Sequence, residues 1–156
     1  YLIKEGFAQG KINEKTTIIE PTAGNTGIGI ALAALTYKLR TVFVVPEKFS
    51  LEKQQLMKAL GAKIIHSPSE QGIIGAISKS KKLAEEISNS YLPLQFENKD
   101  NPAAYYHTLG PEIFHEIKEN IHSFVAGIGS GGTFAGKISR HSNNRCRTRG
   151  LCVKWW

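Results

Sequence analysis

Two rhythms of apolar residues alternate along the chain. Short β-branched or apolar runs at 16–19, 41–45, 63–66, 92–96 and 122–127 predict strands. Between them, longer stretches rich in Ala, Leu, Ile and Lys predict helices over 26–38, 51–60 and 71–88, one or two more within 101–119, and another beginning near Thr133. Leu2, Ile3 and Phe7 with Gly10 just beyond predict the last turns of an opening helix. Pro46 halts the second strand, Ser50 can cap the helix that follows, and Gly61 ends it. Strands alternating with helices of ten to eighteen residues imply an α/β fold with a parallel sheet built from right-handed crossovers. In such sheets ligands sit outside the carboxyl ends of the strands.

Two loops at such ends carry chemistry. Pro21-Thr22-Ala23-Gly24-Asn25-Thr26-Gly27 places hydroxyls, a carboxamide and glycines at a helix N-terminus, where unpaired N–H groups and the helix dipole favour an anion. Thr22 and Thr26 can donate to a carboxylate, and Asn25 can both donate and accept. Gly127-Ile128-Gly129-Ser130-Gly131-Gly132-Thr133 lets the backbone approach a ligand closely, as a phosphate cradle must. Together they predict a small carboxylate substrate and a phosphorylated cofactor.

Charge is distributed unevenly. The 156 residues carry 20 Lys and Arg against 13 Asp and Glu, a net charge of +7. Residues 1–137 hold only +2 of it. Residues 138–156 hold +5, with Arg140, Arg145, Arg147, Arg149 and Lys154, no acid, both cysteines (Cys146, Cys152) and both tryptophans. The C-x5-C spacing suits neither a disulfide framework nor a zinc site. Apolar runs fall well short of the roughly 20 residues a spanning helix needs. The chain starts at Tyr1 inside an amphipathic pattern, as though its beginning were cut away, and no leader pattern is present. These features predict a soluble, cytoplasmic protein.

Glu20-Pro21-Thr22-Ala23-Gly24-Asn25-Thr26-Gly27-Ile28-Gly29, Val45-Pro46-Glu47, Ser50-Leu51-Glu52-Lys53, Leu60-Gly61-Ala62, Gln95-Phe96-Glu97-Asn98, Asn101-Pro102, Thr108-Leu109-Gly110-Pro111-Glu112-Ile113 and Phe124-Val125-Ala126-Gly127-Ile128-Gly129-Ser130-Gly131-Gly132-Thr133 resemble, in order, the cysteine synthase and cystathionine β-synthase family of pyridoxal-phosphate enzymes. The resemblance runs from about residue 1 to Lys137. It implies the three-layer, parallel-sheet fold of the tryptophan synthase β-like enzymes in incomplete form. A smaller N-terminal α/β domain would occupy 1–97, and the start of a larger phosphate-binding domain 98–137. The implied chemistry is β-replacement, joining O-acetylserine or serine to sulfide or homocysteine, in enzymes that are usually homodimers.

By the same resemblance, Thr22, Gly24, Asn25, Thr26 and Gln95 bind the substrate carboxylate, and Asn25 also reaches the pyridoxal ring. Gly129, Ser130, Gly131, Gly132 and Thr133 bind the cofactor phosphate, and 41–85 shifts over bound substrate. Ala23 stands where many members have Ser, and Ser130 replaces a commoner Thr. The Schiff-base lysine of the family would precede Tyr1, so no catalytic residue is assigned and the chain is expected to be inactive alone. Past Lys137 the resemblance stops, and 138–156 reads as an unstructured or frame-shifted tail.

Other readings have weaker support. The first loop approaches the fingerprint of NAD-dependent short-chain dehydrogenases, but no Tyr has a Lys four residues on. His115-Glu116 lacks a second His at 119, so the zinc-helix pattern is broken and no metal is expected. His66, His107, His122 and His141 are scattered, and Lys79, Lys81, Lys82, Glu85 and Glu86 form a solvated helical face. The basic tail with its tryptophans could bind nucleic acid, yet its arginines form no helical stripe.

Overall fold

A computed structural model describes residues 1–22, 24–117 and 124–141, the last five by backbone alone. The chain divides into two compact units, Ile3–Leu94, and Gln95 onward together with Tyr1–Leu2.

The first unit is built on four parallel strands, β1 (Thr17–Pro21), β2 (Arg40–Pro46), β3 (Lys63–Ser67) and β4 (Ser90–Tyr91), in the order β3-β2-β1-β4. Helix α1 (Leu2–Ala8) precedes them, and α2 (Asn25–Thr36), α3 (Leu51–Ala59) and α4 (Gly72–Glu86) supply the crossovers. Alternation along the strands sends Ile18, Phe43 and Val45 into one apolar cluster with Ile30, Ala31 and Ala34 of α2 and Met57 of α3. The step from β3 back to β4 reverses the direction of travel across the sheet. A right-handed crossover therefore carries α4 over the opposite face, where it packs along β1, β2 and β3. β1, covered on both faces and flanked on both edges, is buried throughout.

This strand order has a functional consequence. The chain leaves β1 toward β2 on one side and returns to β4 on the other, so the carboxyl end of β1 is the topological switch point, where open α/β sheets bind ligands. The loop after Pro21 lies there.

Side chains lock the loops at that end. Gln54 of α3 is buried and donates from Nε2 to the Phe49 carbonyl at 3.0 Å, which leaves its Oε1 to accept from His66 Nε2 at 2.8 Å. Ser50 caps α3 by accepting from the Lys53 N–H. Gly61 follows at φ +85, the left-handed conformation a helix-ending glycine supplies.

One predicted strand is corrected. Residues 92–96 do not form a strand, although Leu92, Leu94 and Phe96 alternate. β4 is two residues long and starts earlier, at Ser90, behind Asn89 in the left-handed region (φ 56). Asn89 is held there by hydrogen bonds to Asn13 and Thr16. Pro93 then has no N–H for a ladder, and the N–H of Leu94 (φ 46) goes to the Glu20 carboxylate at 2.7 Å. The ladder ends because both donors are gone.

In the second unit, α5 (Asp100–His107), α6 (Leu109–Ile117) and α7 (Gly132–His141) follow one another. The prediction of one or two helices after Asn101 resolves to two. α5 and α7 pack closely because Gly136 has no side chain; a Cβ there would run into the Pro102 carbonyl and Tyr105. The strand predicted at 122–127 is absent from its described part, since 124–128 have no regular structure; 122–123 lie outside the described residues. α7 continues through His141, so the first four residues of the basic segment are helical. The rest of the predicted tail, 142–156, lies outside the described residues.

Candidate functional site

One candidate loop sits at the carboxyl end of β1. Thr22 follows the strand directly and is only 1% exposed, with its N–H bonded to the Val44 carbonyl. Its Oγ1 accepts from the N–H of Gly27 at 3.1 Å and of Gly24 at 3.4 Å. The hydroxyl therefore braces the turn from inside, and the residues beyond it carry the accessible groups. Gly24 is the N-cap of α2 and has no side chain of its own to cap it; Asn25, the first helical residue, is exposed, and Thr26 is half-buried. Gly27 is required by packing, since a Cβ would come within 2.5 Å of Met57 Sδ and 2.6 Å of Thr22 Cγ2. Lys53 of α3 approaches the same turn, its Nζ 3.6 Å from where a Gly24 Cβ would stand. Backbone N–H groups, hydroxyls and an ammonium thus surround one helix N-terminus, a donor set suited to a carboxylate.

A second candidate loop, in the other unit, precedes α7. Gly127, Gly129 and Gly131 would each carry a Cβ into open space, and Gly131 turns the chain at φ +80 into the helix that begins at Gly132. Gly132 is buried while Ser130 and Thr133 are half-buried. No acidic side chain interrupts 127–133. Open backbone, two hydroxyls and a helix N-terminus fit a phosphate group.

The structure gathers Thr22, Gly24, Asn25 and Thr26 in the first unit and Gln95 with Gly129, Ser130, Gly131, Gly132 and Thr133 in the second. Within the second unit, Gln95 and Ser130 share a partner: the Asn101 side-chain amide donates to the Gln95 carbonyl at 2.7 Å and to Ser130 Oγ at 2.8 Å. Sequence reasoning gave no role to Asn101 or to Lys53. An Asn in the first turn of a helix reads as a capping residue, and a Lys in the first turn of a short polar helix as a solvated one. The Asn101-Pro102 pair was the signal available in the sequence for the first.

A separate concavity lies at the amino ends of the strands, away from the Thr22 loop, and is lined by Thr17, Arg40, Thr41, Lys63 and Glu86. Among the described residues, no three His, Cys, Asp or Glu side chains gather in a metal-binding group. No helix there is long and apolar enough to cross a membrane.

Comparison with known proteins shows the family. The sequence profile of the family described as "Pyridoxal-phosphate dependent enzyme" matches residues 1–150. A cysteine synthase of Helicobacter pylori (strain ATCC 700392 / 26695) is 71% identical over 136 residues, which cover 87% of this chain and 44% of that protein. An O-acetylserine dependent cystathionine β-synthase of Bacillus subtilis (strain 168) is 57% identical over 138 residues, covering 88% of this chain and 45% of the relative. The crystal structure of O-acetylserine dependent cystathionine β-synthase from Helicobacter pylori superposes with a TM-score of 0.89 at 68% identity, over 92% of this chain and 47% of that one. The chain thus spans just under half the length of these relatives. Their fold is the parallel-sheet arrangement of the tryptophan synthase β-like enzymes, of which this chain carries part. The dehydrogenase alternative is not favoured. The chain belongs to the pyridoxal-phosphate dependent enzymes.

Proposed function

We propose that this chain is part of a β-replacing enzyme of cysteine or cystathionine biosynthesis, with O-acetylserine or serine as donor and sulfide or homocysteine as nucleophile. In that reaction a Cβ–S bond replaces a Cβ–O bond, acetate or water leaves, and the proton taken from Cα is returned. Pyridoxal phosphate, when bound, supplies the electron sink that makes the Cα proton acidic. This chain's residues bind and orient. Gly24, Asn25 and Thr26 hold the amino-acid carboxylate on a turn that Thr22 braces, with Gln95 as a further carboxylate ligand. Asn25 also reaches the cofactor ring, and Gly129 to Thr133 take the phosphate.

The observation that carries this reading is the Thr22 brace. Its buried hydroxyl accepts from the N–H groups of Gly24 and Gly27 and so holds an uncharged turn in place at the topological switch point. The relatives named above support the same choice of chemistry. A cytoplasmic location and a homodimeric parent enzyme belong to this proposal.

A binding experiment with a matched pair of ligands tests it. O-acetylserine should shift the amide resonances of Gly24 to Gly27 in NMR spectra, whereas O-acetylethanolamine, which lacks only the carboxylate, should not. Equal shifts from both ligands, or none from O-acetylserine, would overturn the assignment.

A further inference from the structure

Asn101 is the second residue of α5 and is 8% exposed, yet its side chain caps nothing in its own helix. Its amide faces away to two partners. The Gln95 carbonyl can only accept, so the nitrogen of the amide must face it, and both hydrogens of that Nδ2 are then assigned, one to Gln95 O at 2.7 Å and one to Ser130 Oγ at 2.8 Å. The amide as a whole packs on Gly132, where a Cβ would run into Oδ1, Cγ and Nδ2 alike. The amide therefore has a single possible orientation, fixed by the Gln95 carbonyl, which requires the nitrogen.

This orientation determines what Ser130 can do. A serine hydroxyl has one proton and two lone pairs. Against Asn101 it must accept, so its proton points elsewhere. We propose that Asn101 is a positioning residue for the phosphate of the cofactor, acting through Ser130: it holds that hydroxyl as a hydrogen-bond donor aimed at the phosphate and ties its position to that of Gln95. This inference rests on the assignment of 129–133 to a phosphate.

Three variants of the full chain and two ligands test it. Pyridoxal phosphate and pyridoxal differ only by the phosphate, so the ratio of their affinities reads the loop alone. Wild type should prefer the phosphorylated ligand by about tenfold or more, the scale of charge-assisted hydrogen bonds. Asn101→Ala removes the constraint and should reduce the preference; N101D, whose carboxylate can only accept, should reverse the Ser130 hydrogen bond and reduce it further. In an S130A background the effect of N101D should shrink, while pyridoxal affinity stays constant throughout. Thermal unfolding of each variant accompanies the titrations, and N101A carries the test if N101D does not fold. Equal losses for pyridoxal and its phosphate, or an N101D effect undiminished by S130A, would overturn the inference and leave the loop assignment standing. A wild type without preference for the phosphorylated ligand would overturn both.

Discussion

The carboxylate of Glu20, fully buried at the end of β1, accepts a 2.7 Å hydrogen bond from the backbone N–H of Leu94, 74 residues away in sequence. Leu94 is in the left-handed region and is the last residue of its unit, directly before Gln95. Glu20→Ala should leave that N–H without its acceptor and open a void, costing about 2–4 kcal/mol, whereas Glu20→Gln keeps an acceptor oxygen and should cost about 1 kcal/mol. Urea unfolding measures both. A Glu20→Ala variant as stable as wild type would show that the contact contributes nothing.

Gly27 sets the distance between the start of α2 and Met57 of α3. Gly27→Ala should destabilise by about 1–3 kcal/mol through overpacking. Because the clash is with a flexible thioether and a threonine methyl, combining it with Met57→Ala should cost less than the two single losses together. Strict additivity in unfolding free energy would contradict this packing.

Lys53 brings an ammonium to Gly24 without being part of the turn. If the turn holds a carboxylate, Lys53→Gln should weaken O-acetylserine binding about two- to fivefold at low ionic strength, in keeping with a partly solvated charge pair, and the difference should fade in about 0.5 M salt. A deficit independent of salt would indicate that Lys53 acts by packing.

The proposed assignment gives no lysine in these 156 residues the covalent role toward the cofactor. Borohydride reduction in the presence of pyridoxal phosphate, followed by peptide mapping, should therefore label no single lysine stoichiometrically, and the chain alone should show no turnover. One fully labelled lysine, with an absorption band that survives dialysis, would contradict this.

Local patterns carried most of the first unit into view. β-branched runs at 17–19 and 41–45 are strands because both faces of β1 and β2 are covered, and Ser50 and Gly61 bound α3 as their chemistry dictates. The strand expected at 92–96 failed for a tertiary reason: alternation is a local signal, but the donor that would continue the ladder is captured by a carboxylate 74 residues earlier. The site residues divide the same way. Glycines and hydroxyls beside a helix start are visible in sequence, so both loops could be located. Whether a hydroxyl accepts from its own loop, as Thr22 does, or from a neighbouring helix, as Ser130 does from Asn101, depends on contacts made only on folding.

The most direct test is a titration of the chain with pyridoxal phosphate, followed residue by residue through its amide resonances. The loop assignment predicts that the largest shifts fall on Gly129 to Thr133 and are lost when pyridoxal is used instead. Shifts confined to Arg40, Thr41 and Lys63, at the opposite end of the strands, or shifts that do not depend on the phosphate, would contradict it.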